Sequence, residues 1–333
     1  MVWIEFALCI LAITFAGVRL SRYGDAIADK TGLGGTWIGV IMLASVTSLP
    51  ELVTGISSVM VVDTPDIALG DILGSCVFNL LIIVLLDALH RPTSLYSKVS
   101  EGHIVAAAFG VMMIGFVAFS ILLSGQDLRI AIGHVGIYTP IIIILYLVSM
   151  RTVFLYERNR MAAYVELEED PYPTLTLSQA IIQYMIAALI IVVAGSFLPY
   201  VGQEMAVMMG WHESFVGTLF IAFATSLPEV VVTVAALRLG AVDMAIGNLL
   251  GSNLFNIAIL AVDDLLYLKG PLFADISISH SISAVSATMM TGVAIIGLFY
   301  RSTIRVLRTV GWVSIFLFCA YMLNTVILYL YAH

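Results

Sequence analysis

Two short segments place hydroxyls, a proline and a carboxylate inside stretches that are otherwise apolar: Thr-Ser-Leu-Pro-Glu occurs at 47–51 and again at 225–229. A carboxylate at bilayer depth costs roughly 2.5–3.5 kcal/mol on an insertion scale, and a proline there removes a backbone donor. An incidental kink does not explain the same arrangement twice. Thr47 with Glu51, and Thr225 with Glu229, are four apart and share a face if the break is local, with Ser48 and Ser226 one step round. Pro50 and Pro228 end regular hydrogen bonding, which is expected to leave the carbonyls of Ala44 and Ala222 without their usual donors. Downstream, Ser75 with Asn79 and Ser252 with Asn256 repeat the four-residue spacing and put hydroxyl and amide oxygens on one face. Together these groups make an all-oxygen cage for hard cations, where Ca²⁺ takes roughly 6–8 oxygens and Na⁺ fewer. No histidine or cysteine pattern points to zinc or copper.

The elements that position these groups are themselves duplicated. Residues 39–87 align with 217–264. Glu51 and Glu229 are 178 apart, whereas Asp66, Ser75, Asn79 and Asp87 precede Asp243, Ser252, Asn256 and Asp264 by 177, one loop residue near Pro65 being extra in the first copy. Upstream, Ala16-Gly17, Gly24 and Ala28 pair with Ala194-Gly195, Gly202 and Ala206. The chain is two related halves.

With 61% hydrophobic and 11% charged residues, nearly every segment supplies the ~20 apolar residues that cross a bilayer. The chain is an integral membrane protein. Its net charge of −8 is carried by loops and by the repeated sites, and no basic nucleic-acid face exists. Cys9, Cys76 and Cys319 lie in apolar segments and form no disulfide framework. Without a positive leader, the first apolar stretch is expected to be a retained span. Ten helices are expected, at about 2–20, 33–62, 67–90, 102–123, 129–150, 178–200, 213–238, 241–268, 279–299 and 306–330. The polar stretch 151–177 then links a first half, 1–150, to a second, 178–333. Twelve of the fourteen lysines and arginines fall in loops after odd-numbered spans; only Arg129 and Lys269 fall on the other side. That asymmetry puts the linker in the cytoplasm and both termini outside. Five spans is an odd number, so the second half enters upside down. The fold expected is all-α: ten transmembrane helices as two inverted five-helix repeats, with broken helices at the midplane.

Some residues carry plainer expectations. Gly70/Gly74 and Gly247/Gly251 suit close helix packing as well as ion access. Asp87, Asp263 and Asp264 sit at helix ends and are expected to be solvated, and Asp63, Asp66 and Asp243 to lie in loops on the outward side. The six histidines receive no role, and Met205, Met208 and Met209 are read as packing.

The paired Thr-Ser-Leu-Pro-Glu segments, each followed by Gly-x-x-x-Gly-Ser-x-x-x-Asn at 70–79 and 247–256, resemble the two alpha repeats of the cation/calcium antiporter superfamily, most of all its sodium/calcium exchangers. The resemblance spans essentially the whole chain. It implies Glu51 and Glu229 as central Ca²⁺ ligands shared with Na⁺. Thr47, Ser48, Thr225, Ser226, Ser75, Ser252, Asn79 and Asn256 would surround them, with the carbonyls of Ala44 and Ala222. Val46 and Ala224 stand where many members have glycine. Asp71 and Cys76 replace asparagines that the second copy keeps as Asn248 and Asn253. The potassium-dependent branch has an acid at the position of Asn256.

The function so implied is Na⁺/Ca²⁺ antiport by alternating access at one shared site in a cell membrane, plasma or inner, extruding Ca²⁺, with no cofactor and no enzymatic step. A single copy in the bilayer suffices. Either ion set neutralises the buried charge and permits the switch between open states, while an empty site resists occlusion. Spans one and six are similar to the family's sliding gate helices, and their shared Ala-Gly pairs would allow close sliding contact. Proton/calcium antiport is the alternative, although proton-coupled relatives typically carry a Gly-Asn-x-x-Glu form. A passive channel would need no counter-ion. An intramembrane hydrolase would need His-Glu-x-x-His or Gly-x-Ser-x-Gly, which the chain lacks.

Overall fold

A computed structural model describes residues 1–31, 44–90, 95–97, 99, 102–125, 130–161, 174–301, 305–306 and 310–331. Most of them are helical. The first half holds α1 (Val2–Lys30), α2 (Leu49–Ser57), α3 (Pro65–Leu89), α4 (Gly102–Ser124) and α5 (Tyr138–Met161). The second holds α6 (Leu177–Met209), α7 (Glu213–Val216), α8 (Ala222–Thr225), α9 (Leu227–Arg238), α10 (Val242–Leu266), α11 (His280–Tyr300) and α12 (Trp312–Tyr331). Two minimal hairpins, β1 (Ala131–Ile132) with β2 (Val135–Gly136) and β3 (Arg305–Val306) with β4 (Val310–Gly311), introduce the last helix of each half.

Among the described residues eight helices are long and apolar enough to cross a membrane, or nine if the pair Glu213–Thr225 and Leu227–Arg238, bent by 44°, is one span. The remaining expected span, 33–62, is described only from residue 44 onward, where Leu49–Val62 is a shorter apolar helix. Residues 162–173 of the expected linker lie outside the described residues, while 151–161 continue α5.

Helices α3 and α10 carry the Gly-x-x-x-Gly-Ser segments and form the centre. Residues 67–77 of α3 and 245–250 of α10 are almost wholly buried, because both helices are surrounded by others on all sides. Their polar groups therefore have only protein to pair with. The two run antiparallel: Asp66 near the start of α3 meets His280 at the start of α11, the helix that follows α10, and Asp243 at the start of α10 meets His103 at the start of α4, the helix that follows α3. This corrects the grouping of Asp243 with Asp63 and Asp66, since inversion puts equivalent residues at opposite ends of the bundle. Asp63, by contrast, pairs with Lys269 at the Asp66 end.

The expectation that Asp87, Asp263 and Asp264 are solvated is also corrected, for all three are fully buried. Asp87 accepts from Leu95 N at 3.2 Å, and from Gly311 N and Ser314 Oγ at 2.7 Å. Asp264 accepts from Leu272 N at 2.7 Å, Gly136 N at 2.9 Å, Tyr138 Oη at 2.7 Å, and Thr139 Oγ1. Each acid thus gathers its own half's loop and the other half's hairpin. Burial is tolerated because each carboxylate is met by several donors.

The expected pairing of spans one and six is observed, with Ala16 and Leu20 of α1 against Ala187 and Ile191 of α6. The glycines of the Ala-Gly pairs serve a different contact. A Cβ on Gly17 would meet Pro228 Cγ at 2.4 Å, and one on Gly195 would meet Val53 Cγ1 at 3.1 Å. These glycines seat the two long helices on the broken ones. The small-residue pattern of α3 also resolves toward packing: added Cβ atoms would lie 2.8 Å from Gly217 Cα at Gly70 and 2.4 Å from the Thr218 carbonyl at Gly74. Gly251 faces Ala44 Cβ in the same way, at 3.1 Å.

Candidate cation site

Each Thr-Ser-Leu-Pro-Glu segment breaks its helix at one residue, the serine. Ser48 has φ −87° and ψ 14°, and Ser226 φ −85° and ψ 4°, the same bridge-region conformation twice. The leucine then starts a new helix with proline in its first turn, where a missing N–H costs nothing. Glu51 and Glu229 fall in that first turn too, where exposed amides and the helix dipole favour negative charge. A π-helical turn at Gly217–Ile221 precedes the second break, and another at Ser58–Val62 follows α2. Such turns mark departures from regular hydrogen bonding and cluster at functional sites.

The expectation for Ala44 and Ala222 needs correction. Their carbonyls keep the usual partners, Ser48 N at 3.2 Å and Ser226 N at 3.0 Å. A proline removes the bond to the residue four before it, so the donors lost belong to Val46 and Ala224. Ala44 O also receives Thr47 Oγ1 at 3.1 Å and Ser252 Oγ at 3.4 Å, and Ala222 O receives Thr225 Oγ1 at 3.3 Å.

The halves meet reciprocally. Ser226 Oγ donates to Glu51 Oε1 at 3.2 Å, and Ser48 Oγ donates to Glu229 Oε1 at 3.3 Å. Ser75 Oγ also lies 3.3 Å from Glu51 Oε1 and 2.9 Å from Ser226 Oγ. Thr47 Oγ1 and Ser252 Oγ are 3.3 Å apart. All these side chains are fully buried. The second oxygen of each glutamate, Oε2, is buried with no hydrogen-bond partner. An unpaired buried carboxylate oxygen is costly, and a cation is the group that would relieve it.

The asparagines divide. Asn79 Nδ2 donates to Asn253 Oδ1 at 2.9 Å, while Asn253 Nδ2 donates to Cys76 O at 3.2 Å. That crossing ties α3 to α10 and leaves Asn79 Oδ1 unpartnered. Asn256 is fully buried with both amide atoms unpartnered. Eleven of the twelve sequence-derived positions thus fall in three buried clusters, Glu51 with Ser75, Ala222, Thr225 and Ser226, Glu229 with Ala44, Thr47, Ser48 and Ser252, and Asn79 with Asn253, while Asn256 makes no side-chain bond.

Two acids near these clusters went unassigned or misplaced in the sequence. Asp71 Oδ1 accepts from Thr225 Oγ1 at 2.7 Å. Asp263 is buried against Gly55, one turn beyond Glu51, and neither of its oxygens has a partner. Its place beside Asp264 near a helix end made it look solvated; only the helices packed over that end bury it. Among the described residues no three His, Cys, Asp or Glu converge on one point. The acids are therefore spread out and interleaved with hydroxyls, amides and carbonyls.

A multi-pass helical membrane protein of inverted repeats, with a carboxylate from each repeat in a shared polar centre, defines the class. A model of the family described as sodium/calcium exchanger protein matches residues 1–154 and 179–329, and the chain belongs to that family. It is 26% identical to the sodium/calcium exchanger MaX1 of Methanosarcina acetivorans, over 91% of this chain and 93% of that protein. A structure of the sodium-calcium exchanger NCX_Mj superposes with a TM-score of 0.63 at 21% identity, covering 98% of this chain and 99% of NCX_Mj. The H⁺/Ca²⁺ exchanger CAX gives a TM-score of 0.71 at 14% identity, covering 99% and 86%. At such identities both likenesses speak for the fold alone.

Proposed function

We propose that this protein exchanges Na⁺ for Ca²⁺ across a cell membrane by alternating access, with entering Na⁺ driving Ca²⁺ out. Glu51 and Glu229 are the central ligands in this reading. Thr47, Ser48, Ser75, Asn79, Thr225, Ser226, Ser252 and Asn256 and the carbonyls of Ala44 and Ala222 surround them. The Ala44 and Ala222 carbonyls would keep their backbone amides and turn toward the ion the lone pair that now accepts from the Thr47, Ser252 and Thr225 hydroxyls. The observation that carries the reading is the crossed pairing of Ser48 with Glu229 and Ser226 with Glu51, which makes one site out of two repeats. Two carboxylates then share one centre, and filling it with either ion set removes the charge that opposes closure. Sodium as the coupling ion is supported by the neutral amides at Asn79 and Asn256 and by the name of the MaX1 relative. The chain is read as halves 1–150 and 178–333 about a cytoplasmic linker, 151–177, working as a monomer with both termini outside.

Proteoliposomes loaded with Na⁺ should accumulate ⁴⁵Ca²⁺ from a Na⁺-free medium at constant pH with a protonophore present, and equal Na⁺ on both sides should stop net uptake. Uptake that follows an imposed pH gradient and ignores Na⁺ would establish proton/calcium antiport instead.

A further inference from the structure

We infer that Asp71 marks an additional cation position beside the Glu51–Glu229 centre, so that the filled site balances three buried negative charges. This rests on the proposed ion-binding role of the two glutamates and extends it. Asp71 lies on α3 one turn before Ser75 and two before Asn79, on the face that carries the site. It is fully buried. One carboxylate oxygen holds the Thr225 hydroxyl at 2.7 Å, and the other, Oδ2, has no partner. Thr225 is followed by Ser226, whose hydroxyl reaches Glu51 Oε1 at 3.2 Å, so neighbouring residues hold the two acids. The equivalent residue in the other repeat, Asn248, is equally buried with both amide atoms unpartnered. Asn248 stands one turn before Ser252 as Asp71 stands one turn before Ser75, and only the first half supplies a charge there.

Asp71 is not a third ligand to the same ion, because no three acids converge on one point among the described residues. A separate adjoining position at Asp71 Oδ2, next to the Thr225 hydroxyl, is what the geometry allows. Ca²⁺ at the two glutamates leaves the Asp71 charge over, which one monovalent cation would balance; three monovalent ions would balance the whole. A hydrogen bond to Thr225 alone would not require a carboxylate, since an amide oxygen accepts equally well.

Equilibrium ⁴⁵Ca²⁺ binding to the purified protein, displaced by Na⁺, reads this directly. Asp71→Asn keeps the acceptor for Thr225 and removes the charge. It should retain Ca²⁺ binding, raise the Na⁺ needed for half-displacement roughly tenfold, and lower the steepness of displacement by about one ion, as losing a ligand charge weakens a cation site. Asp71→Glu should keep the wild-type steepness, and it carries the test if Asp71→Asn fails to fold. An unchanged displacement curve in Asp71→Asn, or loss of steepness in Asp71→Glu, overturns the inference. So does complete loss of Ca²⁺ binding in a monodisperse Asp71→Asn protein, which would put Asp71 in the central position. Glu51→Gln in the same assay separates the two readings: if it binds Ca²⁺ normally the central site itself is wrong, whereas its failure beside an indifferent Asp71→Asn rejects only the added position.

Discussion

At the scale of single residues, the argument turns on two glutamates whose outer oxygens have no protein partner while their inner oxygens are held by serines from the opposite repeat. The hydrogen bonds orient the carboxylates and leave one oxygen each for an ion. Glu51→Gln and Glu229→Gln keep size and acceptor capacity but halve the charge facing a divalent cation. Each should weaken Ca²⁺ binding by about 3 kcal/mol, roughly a hundredfold, because in low dielectric a missing counter-charge is not replaced by water. ⁴⁵Ca²⁺ binding to protein that remains monodisperse measures this, and near-normal affinity in either variant would remove that residue from the site. The spacing of Thr47, Ser48 and Glu51 was legible in the sequence, since four-residue periodicity is local. Which serine serves which glutamate was not.

At the scale of elements, glycine decides how close the helices come. Gly70 and Gly74 let α3 approach the π-helical turn Gly217–Ile221 until backbone touches backbone. This contact brings Ser75 beside Ser226. Gly74→Ala would put a methyl 2.4 Å from the Thr218 carbonyl, with no flexible side chain to yield. Overpacking of this kind costs about 1–3 kcal/mol, so thermal unfolding in detergent should shift downward and exchange should slow. Unchanged melting and transport in Gly74→Ala would show that the helices separate at that point without consequence. The sequence left these glycines open between packing and ion access, because a small-xxx-small pattern looks the same for either use. Gly17 and Gly195 were assigned to contact between α1 and α6, yet they face Pro228 and Val53. A helix face is readable from sequence, whereas the neighbour it meets is not.

At the scale of the molecule, the antiparallel α3 and α10 and the crossed anchors at Asp87 and Asp264 describe two halves of opposite sense locked together. Their orientation in the bilayer rests on the loop charges. A cysteine introduced near Arg158 should be labelled by a membrane-impermeant reagent only from the cytoplasm, and one near Met208 only from outside. Labelling of both from one side would contradict the inverted arrangement. Total reversal would keep the inversion and turn the proposed topology over.

Composition, the 178-residue duplication and the charge asymmetry by themselves determined a membrane protein of two inverted halves, with a carboxylate from each half in an oxygen-rich centre. These features are written in periodicity and count, which need no knowledge of partners. Only the tertiary structure decided that Ala44 and Ala222 keep their backbone donors, that Asp87 and Asp264 are buried anchors, and that Asp71 touches Thr225. The two aspartates sit at the ends of helices, where sequence alone predicts water. Burial there depends on hairpins from the opposite half, up to 224 residues away, that fold over them. Whether a polar group meets solvent, another residue or an ion is settled by helices packing at long sequence separation, and that packing leaves no local signature in the chain.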